Sequence, residues 1–233
     1  MQHLETPRSL RGLVVVRKPD LKPTLVNRLE LWFSTGRKVD GLWIGTRESK
    51  PQSGLRRIED ALRLIEDHHP LDYDRILHNL DRIWVHLLPS SDACYEASLN
   101  ACVFDERFVL LETTTLERIA STIVHEATHA RLERWGIFYH ERQRSRIEAI
   151  CLRRELNFLT SLPHSEELQE EIAGTLAWCA KDHDYFSDES FQQRDDQGQV
   201  ETLRYLGAPG WVISLVMRIV RKRRLRVRAA PNR

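Results

Sequence analysis

Residues 121–136 read STIVHEATHARLERWG, and the fold turns on how they are understood. No charge falls between Arg118 and Glu126, and Ile123, Val124, Ala127, Thr128 and Ala130 surround two histidines with small or apolar groups. Gly136 follows where a helix would stop. Upstream, Thr114 and Glu117 in TTTLER stand at capping-box spacing. The stretch predicts a buried helix from 113 to Trp135. His125 and His129 are one turn apart on it and project from one face. A helix this apolar makes an odd core for two imidazoles and a carboxylate unless something binds them. The plain alternative is a core helix carrying two histidines by accident.

Two imidazoles at this spacing can bind one zinc ion. Glu126, beside the first of them, can take a proton from a water that the metal has made acidic. Glu148 in RQRSRIEAICLRREL is the candidate third ligand. It lies on the apolar side of a second helix, expected over 141–160, flanked by Ile147, Ala149 and Ile150 rather than by charges. A turn at Gly136–His140 would fold the two helices antiparallel and return Glu148 to His129. His140 is the alternative third ligand.

The pattern His125-Glu126-x-x-His129-x18-Glu148 resembles that of the gluzincins, zinc metallopeptidases of the thermolysin-like and aminopeptidase-like group, over residues 101–160. It does not resemble the metzincin pattern, which wants Gly where Leu132 stands. The resemblance implies a zincin-like core: a small mixed sheet, an active-site helix and a glutamate helix. It implies Zn2+ held by His125, His129 and Glu148, with Glu126 as general base and acid in hydrolysis of a peptide or protein substrate. It also implies an edge strand that pairs with extended substrate, and ACVFDERFVLLE (101–112) sits in the right place. Two positions depart from the family. Leu152 stands where an acidic residue often supports a ligand histidine, and Arg131 stands where an apolar residue is usual. The family also uses a Tyr or His, usually C-terminal to the ligands, on the tetrahedral intermediate. His183 and Tyr185 in KDHDYFSD are the candidates and Tyr205 another, against the plainer reading of exposed loop aromatics or a core tyrosine.

The rest of the chain predicts an α+β fold, mostly helical. GLVVV (12–16) and VDGLWIG (39–45) read as strands, and TLVNRLELWF (24–33) as helix or strand. Leu55, Ile58, Leu62 and Ile65 mark one face of a helix over 55–67, ended by Pro70, with a short helix at 72–80. RIWVHLLP (82–89) is strand-like, 89–96 a loop, and 101–112 a hairpin or two short strands. A helix over 165–180 precedes a polar loop, 181–199. The expected organisation is a loose lead at 1–11 and a single zincin-like domain at 12–206. That domain divides into a mixed α/β part (12–112) and a helical metal-site part (113–180). Residues 207–233 are an apolar helix, 211–220, plus a basic tail.

The 233 residues are 41% hydrophobic and 30% charged, which fits a globular protein and excludes a disordered one. The net charge of +1 hides two opposed regions. From Arg218 onward there are eight basic and no acidic residues; taking these from 35 leaves 27 basic against 34 acidic in the body. The stretch Arg218–Arg228 therefore reads as a solvated tail, as a contact for an anionic membrane surface, or as a contact for an acidic partner such as another copy. The acidic body argues against a nucleic-acid platform. This sets up a competing function: a non-catalytic zincin-like scaffold that attaches through its tail. Cys94, Cys102, Cys151 and Cys179 form no C-x-x-C pair and are expected reduced and mostly buried. No secretory signal is visible and no apolar run could cross a bilayer, so the expected location is cytoplasmic, with peripheral membrane attachment as the variant. The six tryptophans are expected in the core.

Overall fold

In the computed structural model, residues 22–47, 51–181 and 184–229 are described. The expected lead at 1–11, the strand at 12–16 and His183 lie outside them. The described chain is α+β and mostly helical, with a small mixed sheet of five strands, as expected.

The sheet begins with a hairpin, not the single strand expected over 39–45. β1 (Thr35–Val39) and β2 (Leu42–Thr46) pair antiparallel with Val39 opposite Leu42. Between them Asp40 and Gly41 take positive φ, 48° and 90°, which is the Asp-Gly turn that matches the twist of a two-residue hairpin. Ahead of it, Thr24 caps α1 (Leu25–Trp32) by accepting from the Asn27 amide, which resolves the ambiguity at 24–33 in favour of helix.

From β2 the chain crosses through α2 (Pro51–His68) and α3 (Pro70–Asn79) to β3 (Arg82–His86), which lies parallel to β2. β4 (Ala93–Glu96) and β5 (Ala101–Asp105) complete the order β1-β2-β3-β5-β4. β5 runs parallel to β3 and antiparallel to β4. Two expectations are corrected here. The segment 89–96 contains a strand, and that strand, not 101–112, forms the sheet edge on this side, β1 forming the other. The hairpin expected over 101–112 is instead β5 followed by α4 (Glu106–Leu110). Asp105 ends the strand because its carboxylate accepts from the Arg107 amide and from the Arg107 guanidinium, capping the helix.

Side chains alternate across the sheet. Ile44, Ile83, Val85, Cys102 and Phe104 join one core with Ile58, Leu62 and Ile65 of α2 and with Ile119, Ile123 and Val124 of the next helix. Trp84, Ala101 and Val103 face the other way, with Leu31 of α1 and Trp43 packed on them. β5 is buried at every position because both faces are covered. The tryptophans were expected in the core. Only Trp84 is buried; Trp32, Trp135, Trp178 and Trp211 are exposed.

α5 (Leu116–Arg134) is the predicted central helix. Its cap is Thr115, one residue beyond the Thr114 of the sequence reading, and it accepts from the Arg118 amide at 3.2 Å. α6 (Arg144–Leu159) and α7 (Glu166–Cys179) follow as expected. The polar loop expected over 181–199 is mostly α8 (Asp188–Tyr205). Ser187 caps it and Asp188 and Glu189 occupy its first turn, while its only buried residues are Gly198 and Thr202. A helix polar on nearly every side carries almost no 3.6-residue signal. The carbonyl of Pro89 sits against Gly198, where a Cβ would collide with it. α9 runs from Gly210 to Ala229, longer than the expected 211–220. No described helix is long and apolar enough to cross a membrane.

Candidate metal centre

The turn between α5 and α6 sets the site. Gly136 takes φ 78°, its amide donates to Glu133 O, and the Ile137 amide donates to Leu132 O. This pair of bonds is the Schellman arrangement, with Gly as the left-handed residue just past the helix. Leu132 and Ile137 then pack together with Ile147 and Cys151 of α6, so the two helices fold back antiparallel. Antiparallel pairing brings Glu148 and Glu155, two turns apart on α6, alongside His125.

His125, Glu126 and His129 face one cleft of about 600 Å³. His125 Nε2 lies 3.2 Å from Glu148 Oε2 and 3.2 Å from His129 Nε2, and His129 Nε2 lies 3.6 Å from Glu148 Oε1. Burial alone would lower the pKa of His125. Hydrogen bonds to Glu148 and Glu155 outweigh it and hold the value well above normal. Burial alone would raise the pKa of Glu148, but the two histidines pull it well below the carboxylate range. Glu126 is buried and its pKa is raised by that burial against the pull of His129 and His125. Among the described residues it has no hydrogen-bond partner, so its oxygens are free to receive one.

Three carboxylates around two imidazoles make a site in which negative groups outnumber the positive charge the imidazoles can carry. Buried anions need a compensating cation. Ligand atoms about 2.1 Å from a tetrahedral zinc stand roughly 3.4 Å apart, which the spacings of His125, His129 and Glu148 match. The donor set therefore fits the metal. Cys151 competes with Glu148 for the third position. Its thiol group lies within 4.8 Å of the ligand atoms of His125 and His129. It is fully buried, and burial followed by the charge of Glu148 pushes its pKa far up. A bound metal would displace the thiol proton, so both Glu148 and Cys151 stand as candidates for the third position.

The remaining sequence candidates divide. His140 bonds Gln143 at 2.7 Å and does not line the cleft. Tyr185 does line it, edge-on to Trp178 and under the Arg194 guanidinium at 3.6 Å. Tyr205 lies outside it, exposed and near Arg107. Two residues escaped the sequence reading. Glu155 accepts from His125 Nδ1 at 3.0 Å and occupies the supporting role sought at Leu152, which is core. Tyr139 packs edge-on to His129, ring centroids 5.4 Å apart, and lines the cleft with Glu148. The signal for Glu155 was available: seven residues after Glu148 is two turns on the same face.

The cleft wall opposite α5 includes Ala93, Cys94 and Tyr95 of the edge strand β4, and its far side is Trp178, Phe186 and Phe191. All four cysteines are free, with Cys102, Cys151 and Cys179 buried. No family model matches the chain, and no curated protein matches it.

Proposed function

We propose that the chain is a zinc-dependent hydrolase of peptide bonds, with His125, His129 and Glu148 as metal ligands. The observation that carries the reading is the spacing of their donor atoms, 3.2 to 3.6 Å, at the floor of a cleft bordered by a sheet edge. Bound there, zinc would supply a Lewis acid that acidifies water and polarises a carbonyl. An extended substrate would pair with the open edge of β4, placing its scissile bond over α5. Water attacks the carbonyl carbon; Glu126 accepts the proton it gives up and returns it to the amine as the C–N bond breaks. The hydroxyl of Tyr139, on a residue 40% exposed beside His129, is the available donor to the carbonyl oxygen as that oxygen gains charge.

The test is metal content and peptide cleavage together. Wild type should hold one zinc per chain, and Glu126→Gln should keep it while losing cleavage by at least about a hundredfold. A wild type that takes up no zinc on reconstitution sinks the metal reading. Unchanged cleavage in Glu126→Gln sinks the catalytic one and favours the scaffold.

α9 supports a second, compatible role at an anionic membrane surface. Trp211, Leu215 and Ile219 form an exposed stripe four residues apart, and Arg218, Arg221 and Lys222 are exposed beside it. The side chains of Arg223, Arg224, Arg226 and Arg228 lie outside the described residues. An apolar stripe edged with arginine is the pattern of an interfacial helix. Sedimentation with vesicles containing phosphatidylglycerol, and none with phosphatidylcholine alone, is the expected result.

A further inference from the structure

α5 has a second working face. Behind the histidines, a pocket of about 360 Å³ opens between α3, α5 and α6, and four arginines line it: Arg75, Arg131, Arg153 and Arg154. One carboxylate, Asp72, faces them. It is 2% exposed and is taken up by Arg75 at 2.8 Å and by Arg154 through two nitrogens at 3.0 and 2.6 Å. His69 approaches its other oxygen at 3.1 Å. Asp72 therefore fixes two guanidinium groups through one oxygen, while its other oxygen, buried beside His69, takes no hydrogen bond from Arg131 or Arg153. Among the described residues, Arg131 and Arg153 make no ion pair. Arg131 lies over the Trp135 ring at 4.4 Å, and both residues line the pocket.

Four positive charges and one negative around a partly enclosed space attract and concentrate anions. Guanidinium forks match the paired oxygens of phosphate and carboxylate. We propose that this pocket binds a small polyanion carrying phosphate or carboxylate groups, with Arg131 and Arg153 as its direct contacts and Arg75 and Arg154, braced by Asp72, behind them. The pocket shares no residue with the metal cleft, so the proposal stands whether or not zinc binds. It also gives a reason for Arg131, a charge at a position where an apolar residue was expected.

The test is calorimetric titration of the full chain with inorganic pyrophosphate and, separately, with citrate. The expected result is a saturable site, one per chain, that also perturbs tryptophan fluorescence through Trp135. The double variant Arg131→Gln/Arg153→Gln should bind at least about tenfold more weakly, since each lost charge-assisted bond costs that much or more. Tighter binding of pyrophosphate assigns the site to phosphate, tighter binding of citrate to carboxylate. Absence of saturable binding with either probe overturns the proposal. So does unchanged affinity in the double variant, which would place the anion on the basic C-terminus. Should the double variant fail to fold, Arg153→Gln alone, at an exposed position, carries the same comparison.

Discussion

Glu155 Oε2 accepts from His125 Nδ1 at 3.0 Å, while Glu155 Oε1 accepts from the Ser121 hydroxyl at 2.9 Å. The carboxylate is thus held at both ends and is itself buried. With Nδ1 engaged by Glu155, Nε2, which faces Glu148 and His129, is the nitrogen left to bind a metal once its own proton is released. A partner of this kind fixes the tautomer and makes the imidazole a better ligand. Glu155→Gln removes the charge and keeps the shape. Zinc affinity should fall by about 10- to 100-fold with the helical circular dichroism unchanged. Competition with a chromogenic chelator measures it. Wild-type affinity in the variant would reduce Glu155 to a packing role.

Glu148 and Cys151 are one turn apart on α6, and both come within reach of the two histidines. Their charge states favour Glu148, which has no proton to lose on binding. Glu148 is held ionised by the histidines, whereas Cys151 is held as a thiol by burial among carboxylates. Glu148→Ala should therefore lose the zinc that Cys151→Ser retains, as read by metal analysis of the purified proteins. The reverse outcome would make the cysteine the third ligand and remove the gluzincin-like pattern.

The parts of this site that were legible in the sequence are those that depend on local spacing. His125, Glu126 and His129 share a face because of helical period alone, and Gly136 marks the stop because the left-handed cap needs it. Glu148 followed from assuming a short antiparallel return, which Leu132, Ile137 and Ile147 enforce by packing. Tyr139 and the edge strand were not legible. Tyr139 sits in the turn itself, where no period applies, and β4 is only four residues long with every position half-buried, so it shows no alternation. α8 was missed for the same kind of reason, since Gly198 and Thr202 are its only buried residues.

Tyr139 offers a split between binding and turnover. Its ring packs edge-on to His129 and it lines the same cleft as Glu148. Tyr139→Phe keeps the ring and so should keep the zinc. If the hydroxyl serves the carbonyl oxygen only as charge develops there, kcat should fall about a hundredfold with KM little changed. The same substitution at Tyr185, which sits edge-on to Trp178 and under Arg194, should leave kcat within a few-fold. A larger effect at Tyr185 than at Tyr139 would exchange their roles.

His86 ties stability to pH at a place remote from the metal cleft. Its ring stacks on Trp84 with centroids 4.0 Å apart. Burial, then repulsion from Arg47, lowers its pKa from 6.5 to about 4. A histidine whose folded pKa is depressed binds its proton more readily when unfolded. Its contribution is therefore complete above the unfolded value, declines as pH falls through 6.5, and is gone once pH reaches about 4. Because His86 is only partly buried, the loss between about pH 7.5 and about pH 5 should be roughly 1 kcal/mol. His86→Gln cannot take a proton, so its urea midpoint should fall less over this range than that of wild type. Parallel loss in both proteins would assign the acid sensitivity to the carboxylates instead.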